Sequence, residues 1–250
     1  MKQFCDYEGS TYRADFWEGQ GREYEDRVER AALHSLLPAK GRRLLELGSG
    51  YGRLADLYAG CQHVILSDRA FSQIKQARDR LGGDPCFTFI VADAYALPFV
   101  AGAMDQVVSV RVLHHLVDVP AAFAEIARVL SRGGTYVTEF ASKRHLKAIA
   151  RYLLNRQPPI TVGSQRANPF SPDPYEFAAL NFDFHPRWIE RALQQAGLKV
   201  EARRAVSHFR VTSLKRLVPL GLLVAADRAL QRAGAVWPWT PSLFIRARKP

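Results

Sequence analysis

Cysteine is scarce in this sequence of 250 residues, and long apolar runs are absent from it. The three cysteines, Cys5, Cys61 and Cys86, lie far apart without a CxxC pair, so we expect buried reduced thiols rather than a zinc site or a disulfide framework. No stretch of about 18 apolar residues occurs, so no transmembrane helix is expected. Residues 1–20 lack the apolar core of a signal peptide, and we therefore expect a cytoplasmic protein.

Two phosphate-binding signatures are also incomplete or missing. No GxxxxGK[ST] segment occurs, which excludes a P-loop. Gly48 and Gly50 begin the dinucleotide fingerprint GxGxxG, but Arg53 occupies the position of its third glycine. Because that glycine allows close packing of the helix on the strand, its loss argues against a dehydrogenase. The chain also shows no internal repeat and no low-complexity tract.

Acidic residues are rare in the second half of the chain. Residues 1–140 contain 16 Lys and Arg against 18 Asp and Glu, whereas residues 141–250 contain 19 against 6. The net charge of +11 therefore comes from the second half. Such a distribution indicates an anionic partner, which could be nucleic acid, a membrane surface or an acidic substrate, or else a basic surface without a specific partner.

Short apolar runs alternate with segments of helical periodicity between Arg43 and Phe140. Strands are expected at 43–47, 63–68, 86–93, 105–112 and 135–140, and helices at 53–60, 72–83 (with Ser72 as N-cap) and 120–134. This alternation predicts βαβ units and a parallel sheet that helices cover on both faces.

The alternation becomes irregular after Phe140. Residues 141–157 are basic and helical in pattern, and the five prolines of 158–174 predict a loop. A helix at 185–197 and strands at 198–206 and 242–249 are expected next. A basic and apolar segment at 214–234 is interrupted by Pro219 and Gly221.

The segment LLELGSGYGRL, residues 44–54, places three glycines at alternate positions directly after the first predicted strand. Glycine tolerates positive φ and allows a ligand to approach the main chain. Ligands of open parallel sheets bind at the carboxyl ends of the strands, where three acidic residues fall: Glu46, Asp68 and Asp93. Asp68 lies 20 residues beyond Gly48, a spacing that suits hydrogen bonds to ribose hydroxyls. This arrangement predicts a nucleoside-containing cofactor.

Five segments resemble, in order, the motifs of the class I S-adenosylmethionine-dependent methyltransferases, in particular their small-molecule branch (methyltransferase type 11-like): LLELGSGYGRL, VILSD, VADAYALPF, FVAGAMDQVVSVRVLHHLVD and AFAEIARVLSRGGTYVTEF. The resemblance is close over about residues 40–140 and looser beyond. It implies a Rossmann-like α/β fold, namely a seven-stranded, mostly parallel sheet with helices on both faces and the last strand antiparallel. The family usually has LxPGG where this chain has Arg132 in place of proline, which leaves the expectation of cofactor binding unchanged.

The resemblance also implies S-adenosyl-L-methionine as the cofactor and a role for each matching residue. Gly48, Ser49, Gly50 and Gly52 are expected to wrap its methionyl and adenosyl portions, and Glu46 to order the loop and reach its amino group. Asp68 is expected to hold the ribose hydroxyls and Arg69 to flank the adenine. Asp93 is expected to accept a hydrogen bond from the adenine amine, Ala94 to lie beside the ring, and Arg111 to line the methionyl end.

A single methyltransferase domain over residues 1–250 follows from the same resemblance. We expect an N-terminal arm or lid (1–40), a cofactor-binding core (41–140) and an inserted substrate cap (141–184). Residues 185–250 are expected to complete the sheet, with a basic insertion at about 207–240.

The cofactor carries an activated methyl group, so the expected reaction is an in-line displacement by a nucleophile held in place. A general base is needed only when the nucleophile carries a proton at neutral pH. His114 or His115, after the fourth strand, is the candidate base, and a structural histidine is the alternative. His145 and His185 are weaker candidates, because the latter resembles a helix cap. No metal site is predicted.

Aromatic side chains of the arm and the cap are candidates for the roof of an acceptor pocket, or else for the core. They are Tyr12, Phe16, Trp17, Tyr24, Tyr152, Phe170, Tyr175 and Phe177. A helix is expected over residues 16–38, with Arg22 or Tyr24 near the cofactor carboxylate.

The leading hypothesis is therefore methyl transfer to an O, N or C centre of a small aromatic or lipid-like acceptor. An RNA methyltransferase that uses the basic C-terminal half is one alternative, although no NPPY-type tetrapeptide follows the fourth strand. A second is contact of residues 214–234 with an anionic membrane, as for an enzyme acting on a lipid. A homodimer contact and a non-catalytic S-adenosylmethionine-binding partner subunit are the remaining alternatives.

Overall fold

The computed structural model describes residues 7–156, 168–233 and 239–250 and places a mixed sheet at the centre of the molecule. Its strands are β1 (Gly41–Leu47), β2 (Cys61–Asp68), β3 (Phe87–Val91), β4 (Met104–Ser109), β5 (Leu130–Ala141), β8 (Lys199–Val206) and β9 (Ser242–Arg248), and a separate hairpin consists of β6 (Tyr175–Ala178) and β7 (Asn181–Asp183).

The helices of the described residues flank this sheet. They are α1 (Tyr12–Phe16), α2 (Glu23–Leu36), α3 (Phe71–Leu81), α4 (Val119–Val129), α5 (Leu146–Leu153), α6 (Pro186–Gln195), α7 (Thr212–Leu217) and α8 (Leu220–Ala233), with 3-10 turns at Ala55–Tyr58 and Leu113–His115. None of them is both long enough and apolar enough to cross a bilayer, within the part of the chain that the structure describes.

The strand order is β3-β2-β1-β4-β5-β9-β8. Strands β1 to β5 pair in parallel, whereas β9 runs antiparallel to both β5 and β8. The carboxyl ends of β1 to β5 and β8 therefore meet at one edge of the sheet, which we call the carboxyl edge. The predicted fold class, including the antiparallel last strand, is confirmed.

Alternation of side chains along the central strands divides the core into two layers. Leu45 of β1 and Tyr136 of β5 pack with α4 and α6 on one face. Leu44 of β1 and Val137 of β5 pack on the other face with α2 and α8. Each central strand is thus buried on both sides, which explains its nearly continuous apolar sequence.

The helix predicted over residues 16–38 is divided in the structure. Gly19 and Gly21 adopt positive φ angles of 69° and 63° and form a turn between α1 and α2. Helix α2 then packs into the core through a buried stripe that includes Val28, Leu33 and Leu36. Part of the predicted arm is therefore a core helix.

Two other helices differ in the structure from their predicted type or limits. Only the 3-10 turn Ala55–Tyr58 forms where a helix over 53–60 was expected. Helix α3 begins one residue before Ser72, with Ala70 as N-cap, so the predicted cap is wrong. The Ser72 hydroxyl instead accepts a hydrogen bond from the Gly9 N–H at 2.9 Å, a contact with a distant part of the chain.

The second half of the chain forms the predicted helices with shorter limits. Helix α5 is shorter than the expected 141–157, and Pro219 separates α7 from α8. His185 caps α6, as its position before Pro186 suggested, because its Nδ1 accepts from the Arg187 N–H at 3.2 Å. The expected loop at 158–174 has neither helix nor strand over 168–174, and its other residues lie outside the described ones.

The described cysteines carry free thiols. Cys61 is buried and Cys86 is half-buried, so the expectation of buried thiols is correct for the first only. Cys5 lies outside the described residues.

Candidate functional site

A cavity lies at the carboxyl edge, between the loops that follow β1, β2 and β4. Of the predicted site residues, ten line it: Glu46, Gly48, Ser49, Gly50, Asp68, Arg69, Asp93, Ala94, Arg111 and His115. Gly52 and His114 are not among the lining residues. The sheet therefore brings together residues that are up to 69 positions apart in sequence.

The three glycines of the loop after β1 all have positive φ, at 72°, 53° and 76°. A Cβ at Gly48 would lie 2.3 Å from Val112 Cγ2, and one at Gly52 would lie 2.7 Å from Leu81 Cδ1. At Gly50 the nearest heavy atom, Gln73 Oε1, would be 3.8 Å away. Gly48 and Gly52 therefore make room for protein side chains, and Gly50 has the open space toward a ligand.

Asp68 is held by the main chain at the end of β2. Its Oδ2 accepts from the Gly50 N–H at 2.9 Å and its Oδ1 from the Ala70 N–H at 3.0 Å. Burial raises the pKa of this carboxyl, although both N–H groups oppose the rise. The bonds fix the carboxylate beside the glycine loop, where it lines the cavity.

Glu46 is a buried carboxyl at the end of β1. Burial raises its pKa to about 8, and the charge of Asp68 adds to this effect while Tyr58 and Arg53 oppose it. Its Oε2 has no hydrogen-bond partner among the described residues. A buried acid in this state is stabilised as a carboxylate when a cationic donor enters the cavity.

Ser49 Oγ and Gln73 Oε1 are also buried without a hydrogen-bond partner among the described residues, and both residues line the cavity. Together with Glu46 Oε2 they form a set of polar atoms that a ligand with several donors would satisfy. The residues present therefore fit the nucleoside and amino acid groups of S-adenosylmethionine.

Arg69 and Asp93 form an ion pair beside this set. Arg69 Nη1 lies 3.1 Å from Asp93 Oδ2, and the Tyr95 N–H donates to Asp93 Oδ1 at 3.0 Å. Both charged side chains remain partly exposed, so they are able to contact a ligand as well. Their predicted contacts with the adenine are compatible with this placement.

Arg111 has a positive φ of 60°, which is uncommon outside glycine. Its N–H donates to Glu139 Oε2 at 2.9 Å, and its guanidinium pairs with the buried Glu29. Glu29 also accepts from Arg53 Nη2 at 3.0 Å. Burial opposes ionisation of Glu29, but both arginines outweigh it and lower its pKa.

Glu29 and Glu139 were not predicted as site residues. Glu139 stands near the end of β5, so its position at the carboxyl edge was a usable signal. The sequence contained no signal for Glu29, because an acidic residue within an amphipathic helix is normally exposed to solvent.

The N-terminal arm contributes Tyr7 and Tyr12 to the cavity wall. Trp17 stacks on two guanidiniums, with Arg53 Cζ at 3.8 Å and Arg111 Cζ at 4.9 Å from its ring centre. Part of the arm therefore lies against the cavity and the loop after β1, whereas its role as a lid stays a prediction. Tyr7 was missed because the sequence gives no sign of which tyrosine lies against the cavity.

Tyr24 and Arg22 do not line the cavity, which corrects their expected placement near the cofactor carboxylate. The Tyr24 hydroxyl donates to Asp227 Oδ2 at 2.6 Å on the face covered by α8. The reason is the orientation of α2, which turns Tyr24 into the core.

The two candidate histidines are distinguished by the cavity. His115 lines it, and its Nε2 lies 3.0 Å from the Tyr7 hydroxyl. Burial lowers the pKa of His115 to about 4 and holds that of His114 well below its ordinary value. Both rings are therefore neutral at pH 7. His145 caps α5, with its Nδ1 accepting from the Ala148 N–H at 3.3 Å.

The aromatic residues predicted for the cap do not line this cavity. Tyr152 and Phe170 pack edge to face, and the Tyr175 hydroxyl donates to Asp183 Oδ2 at 3.0 Å. Strand β7 packs against the turn that carries His114 and His115. A cap over an acceptor remains a prediction.

Residues 45–138 match a family described as "Methyltransferase domain". This match covers β1 to β5 and all the predicted cofactor residues. The comparison with known sequences therefore agrees with the fit of the cavity residues to S-adenosylmethionine, which the family implies as cofactor.

Two curated relatives match up to half of the chain. A demethylmenaquinone methyltransferase from Clavibacter sepedonicus is 34% identical over 43% of this chain and 44% of its own length. A malonyl-[acyl-carrier protein] O-methyltransferase from Geobacter sulfurreducens is 37% identical over 50% of each chain. The chain thus spans about half the length of these relatives.

A solved structure of an S-adenosylmethionine-dependent methyltransferase from Thermotoga maritima is similar over 98% of both chains. The TM-score is 0.65 and the sequence identity is 16%. A likeness at this identity concerns the fold, which extends beyond the part matched by sequence to the second half of the chain.

Proposed function

We propose that this chain, which carries a class I S-adenosylmethionine-dependent methyltransferase domain, transfers a methyl group to an O, N or C centre of a small aromatic or lipid-like acceptor. The observation that carries the proposal is the convergence of Asp68 and three unpartnered polar atoms on one cavity beside the glycine loop. A ligand with several hydrogen-bonding groups would satisfy these atoms together, because they converge on one cavity.

Each part of the cavity has a distinct task in this proposal. Asp68, fixed by two N–H groups, accepts hydrogen bonds from the ribose hydroxyls. Glu46 and Ser49 hold the amino acid portion, and the Arg69–Asp93 pair borders the adenine. Since these groups are fixed before the cofactor binds, little ordering is required on binding.

S-adenosylmethionine supplies a methyl group that is already activated on a sulfonium, so the protein has to position the acceptor and exclude water. Tyr7, Tyr12 and Trp17 of the arm cover the loop side of the cavity. Arg111 holds the neighbouring wall through its bonds to Glu29 and Glu139. In this proposal, these contacts reduce the access of bulk water to the methyl group.

We further propose His115, rather than His114, as the group that receives a proton when the acceptor carries one. It faces the cavity, and its bond to Tyr7 orients the ring. Its pKa of about 4 keeps it in the neutral form that accepts a proton at pH 7. The same pKa makes it a weak base, so it receives the proton only as the acceptor's bond to the methyl group forms, when the attacking atom's proton becomes strongly acidic.

Calorimetry with S-adenosylhomocysteine tests the cofactor assignment. Asp68→Ala is expected to weaken binding about 100-fold, because two charge-assisted hydrogen bonds to the ribose are lost. Asp105→Ala is the control, since Asp105 accepts from the Arg42 and Arg43 N–H groups at the start of β1, away from the cavity. An equal affinity for the wild type and Asp68→Ala would contradict the proposal.

Turnover is tested separately with labelled S-adenosylmethionine and an extract of aromatic and lipid-soluble metabolites. Label is expected in an organic-phase product with the wild type and not with Asp68→Ala. Binding of the cofactor without any labelled product would instead favour a non-catalytic partner subunit.

A further inference from the structure

Helix α5 presents an apolar side to the solvent. Leu146, Leu153 and the following Leu154 are exposed over 59%, 69% and 64% of their surface, and Ala150 between them is exposed too. The three- and four-residue spacing puts these positions on one face of the helix. A surface helix normally turns such a face toward the core, so this one, exposed among the described residues, suits an external apolar partner.

A second exposed apolar group lies at the same edge of the sheet. Val211 and Leu217, at the two ends of α7, are exposed over 53% and 82% of their surface. Helix α5 follows the carboxyl end of β5, and α7 follows that of β8. Arg210, next to Val211, lies close enough to His145 at the start of α5 to help lower its pKa, an effect dominated by burial.

Basic residues surround these apolar side chains. Segments 143–156 and 208–217 together contain eight Lys and Arg and no Asp or Glu. On α5, Lys147 and Arg151 are exposed and border the leucines. Glu25 of α2 neutralises Lys215 and lies 3.7 Å from Arg210, so the excess of positive charge is carried mainly by α5.

We propose that this docking face, defined by Leu146, Leu153, Leu154, Val211 and Leu217 with Lys147 and Arg151, binds the surface of an anionic lipid bilayer. Apolar side chains bordered by Lys and Arg are the pattern of helices that lie in the headgroup boundary of a membrane. The leucines enter this boundary and the basic side chains bind lipid phosphates.

The exposed leucines favour a bilayer over a nucleic acid as the partner of this face. RNA is held mainly by contacts of basic residues with phosphates, and these need no exposed aliphatic side chain. Both the leucines and the basic side chains strengthen binding to a bilayer, because the free energies of apolar burial and of attraction to anionic lipids add.

The docking face lies at the carboxyl edge, where the cofactor cavity is also found. A bilayer bound there brings a lipid-dissolved acceptor to the edge of the sheet at which methyl transfer is proposed. This consequence for the acceptor rests on the proposed function, whereas binding to the bilayer does not.

Co-sedimentation of the full chain with vesicles tests the inference. Binding is expected to vesicles of phosphatidylcholine that contain phosphatidylglycerol at about one part in three, to be weak with phosphatidylcholine alone, and to decrease as salt rises. Leu153→Glu and the double variant Lys147→Glu/Arg151→Glu are each expected to lower the partition coefficient by about tenfold or more.

Matched controls come from the opposite edge of the sheet. Val100, before β4, and Arg132, in the turn at the start of β5, are exposed there. Val100→Glu and Arg132→Glu are expected to leave vesicle binding unchanged. Calorimetry with S-adenosylhomocysteine on every variant shows that the fold is intact and keeps a failure of the proposed function distinguishable from a failure of docking.

Three results would overturn the inference. One is equal binding of wild type and docking-face variants to anionic vesicles. Another is binding of an RNA oligonucleotide that Lys147→Glu/Arg151→Glu abolishes and Leu153→Glu preserves, together with no vesicle binding. The last is self-association that Leu153→Glu removes in sedimentation velocity, again without vesicle binding, which would assign the face to a second copy of the chain.

Discussion

The two halves of the molecule use charged residues in different ways. In residues 1–140, carboxylates such as Glu29 and Glu46 are buried, and arginines or main-chain groups surround the cofactor cavity. In residues 141–250, basic side chains of α5 are exposed and stand beside exposed leucines. Charge in the first half therefore positions loops, whereas on α5 of the second half it faces outward. Three substitutions test this difference, in order of decreasing effect.

The largest effect is expected where a charge is fully buried. Glu29→Ala leaves Arg53 and Arg111 without their shared buried anion, which should lower the free energy of unfolding by ~3 kcal/mol. Urea denaturation measures this loss. Glu23→Ala, on the exposed side of the same helix, should change the free energy by less than about 0.5 kcal/mol. Equal effects of the two substitutions would show that Glu29 does not organise the site.

An intermediate effect, dependent on pH, is expected at Glu46. Its pKa of about 8 in the folded protein exceeds the value of about 4.3 for an unfolded chain. Between these values the folded protein holds a proton that the unfolded chain has released, so stability is greatest below pH ~4 and is lost as the pH rises toward 8.

The side chain introduced by Glu46→Gln is uncharged at every pH, so this variant does not lose stability through position 46 as the pH rises. Relative to the wild type, it should gain on the order of 2 kcal/mol in free energy of unfolding between pH 5 and pH 6.5 without cofactor. Unfolding by urea at the two pH values provides the measurement, with the exposed Glu18→Gln as control. Parallel pH profiles for wild type and Glu46→Gln would mean that Glu46 is already ionised in the folded protein.

The smallest effect is expected on the outward-facing side of the second half. Leu217→Ala should change the free energy of unfolding by less than about 0.5 kcal/mol, because the side chain is mostly exposed. The same substitution at the fully buried Leu66 of β2 should cost about 2–5 kcal/mol. Thermal unfolding compares the two, and a large cost at Leu217 would show that other parts of the chain cover this leucine in solution.

Prediction from sequence succeeded where the relevant contacts are local or follow from strand order. Asp68 ends β2, and Gly50 lies in the loop after the adjacent β1, so parallel pairing alone brings them together. The same logic places Asp93 beyond β3. Motif spacing was sufficient for the fold class and for bringing most of the predicted site residues to one cavity, whereas their contacts with a cofactor stay predictions.

Prediction from sequence failed where a contact joins segments that are distant in the chain. Gly52 does not line the cavity, and its missing side chain makes room for Leu81 of α3, so its contact with a cofactor stays a prediction. Ser72 was assigned as a helix cap, but it binds the arm. Tyr24 was placed near the cofactor, although the rotation of α2 directs it to Asp227. The errors at Ser72 and Tyr24 concern the direction of a side chain within a helix whose existence was predicted.

The sequence by itself determined the order of strands and helices, the glycine loop and the acids at the strand ends, because hydrophobic period and glycine spacing are local properties of the chain. Only the tertiary structure decided which charges are neutralised and which leucines stay exposed. Arg111 pairs with Glu29, which lies 82 residues away in sequence. The leucines of α5 are exposed to solvent. Neither fact follows from the sequence neighbours of these residues, because burial depends on what packs against a side chain.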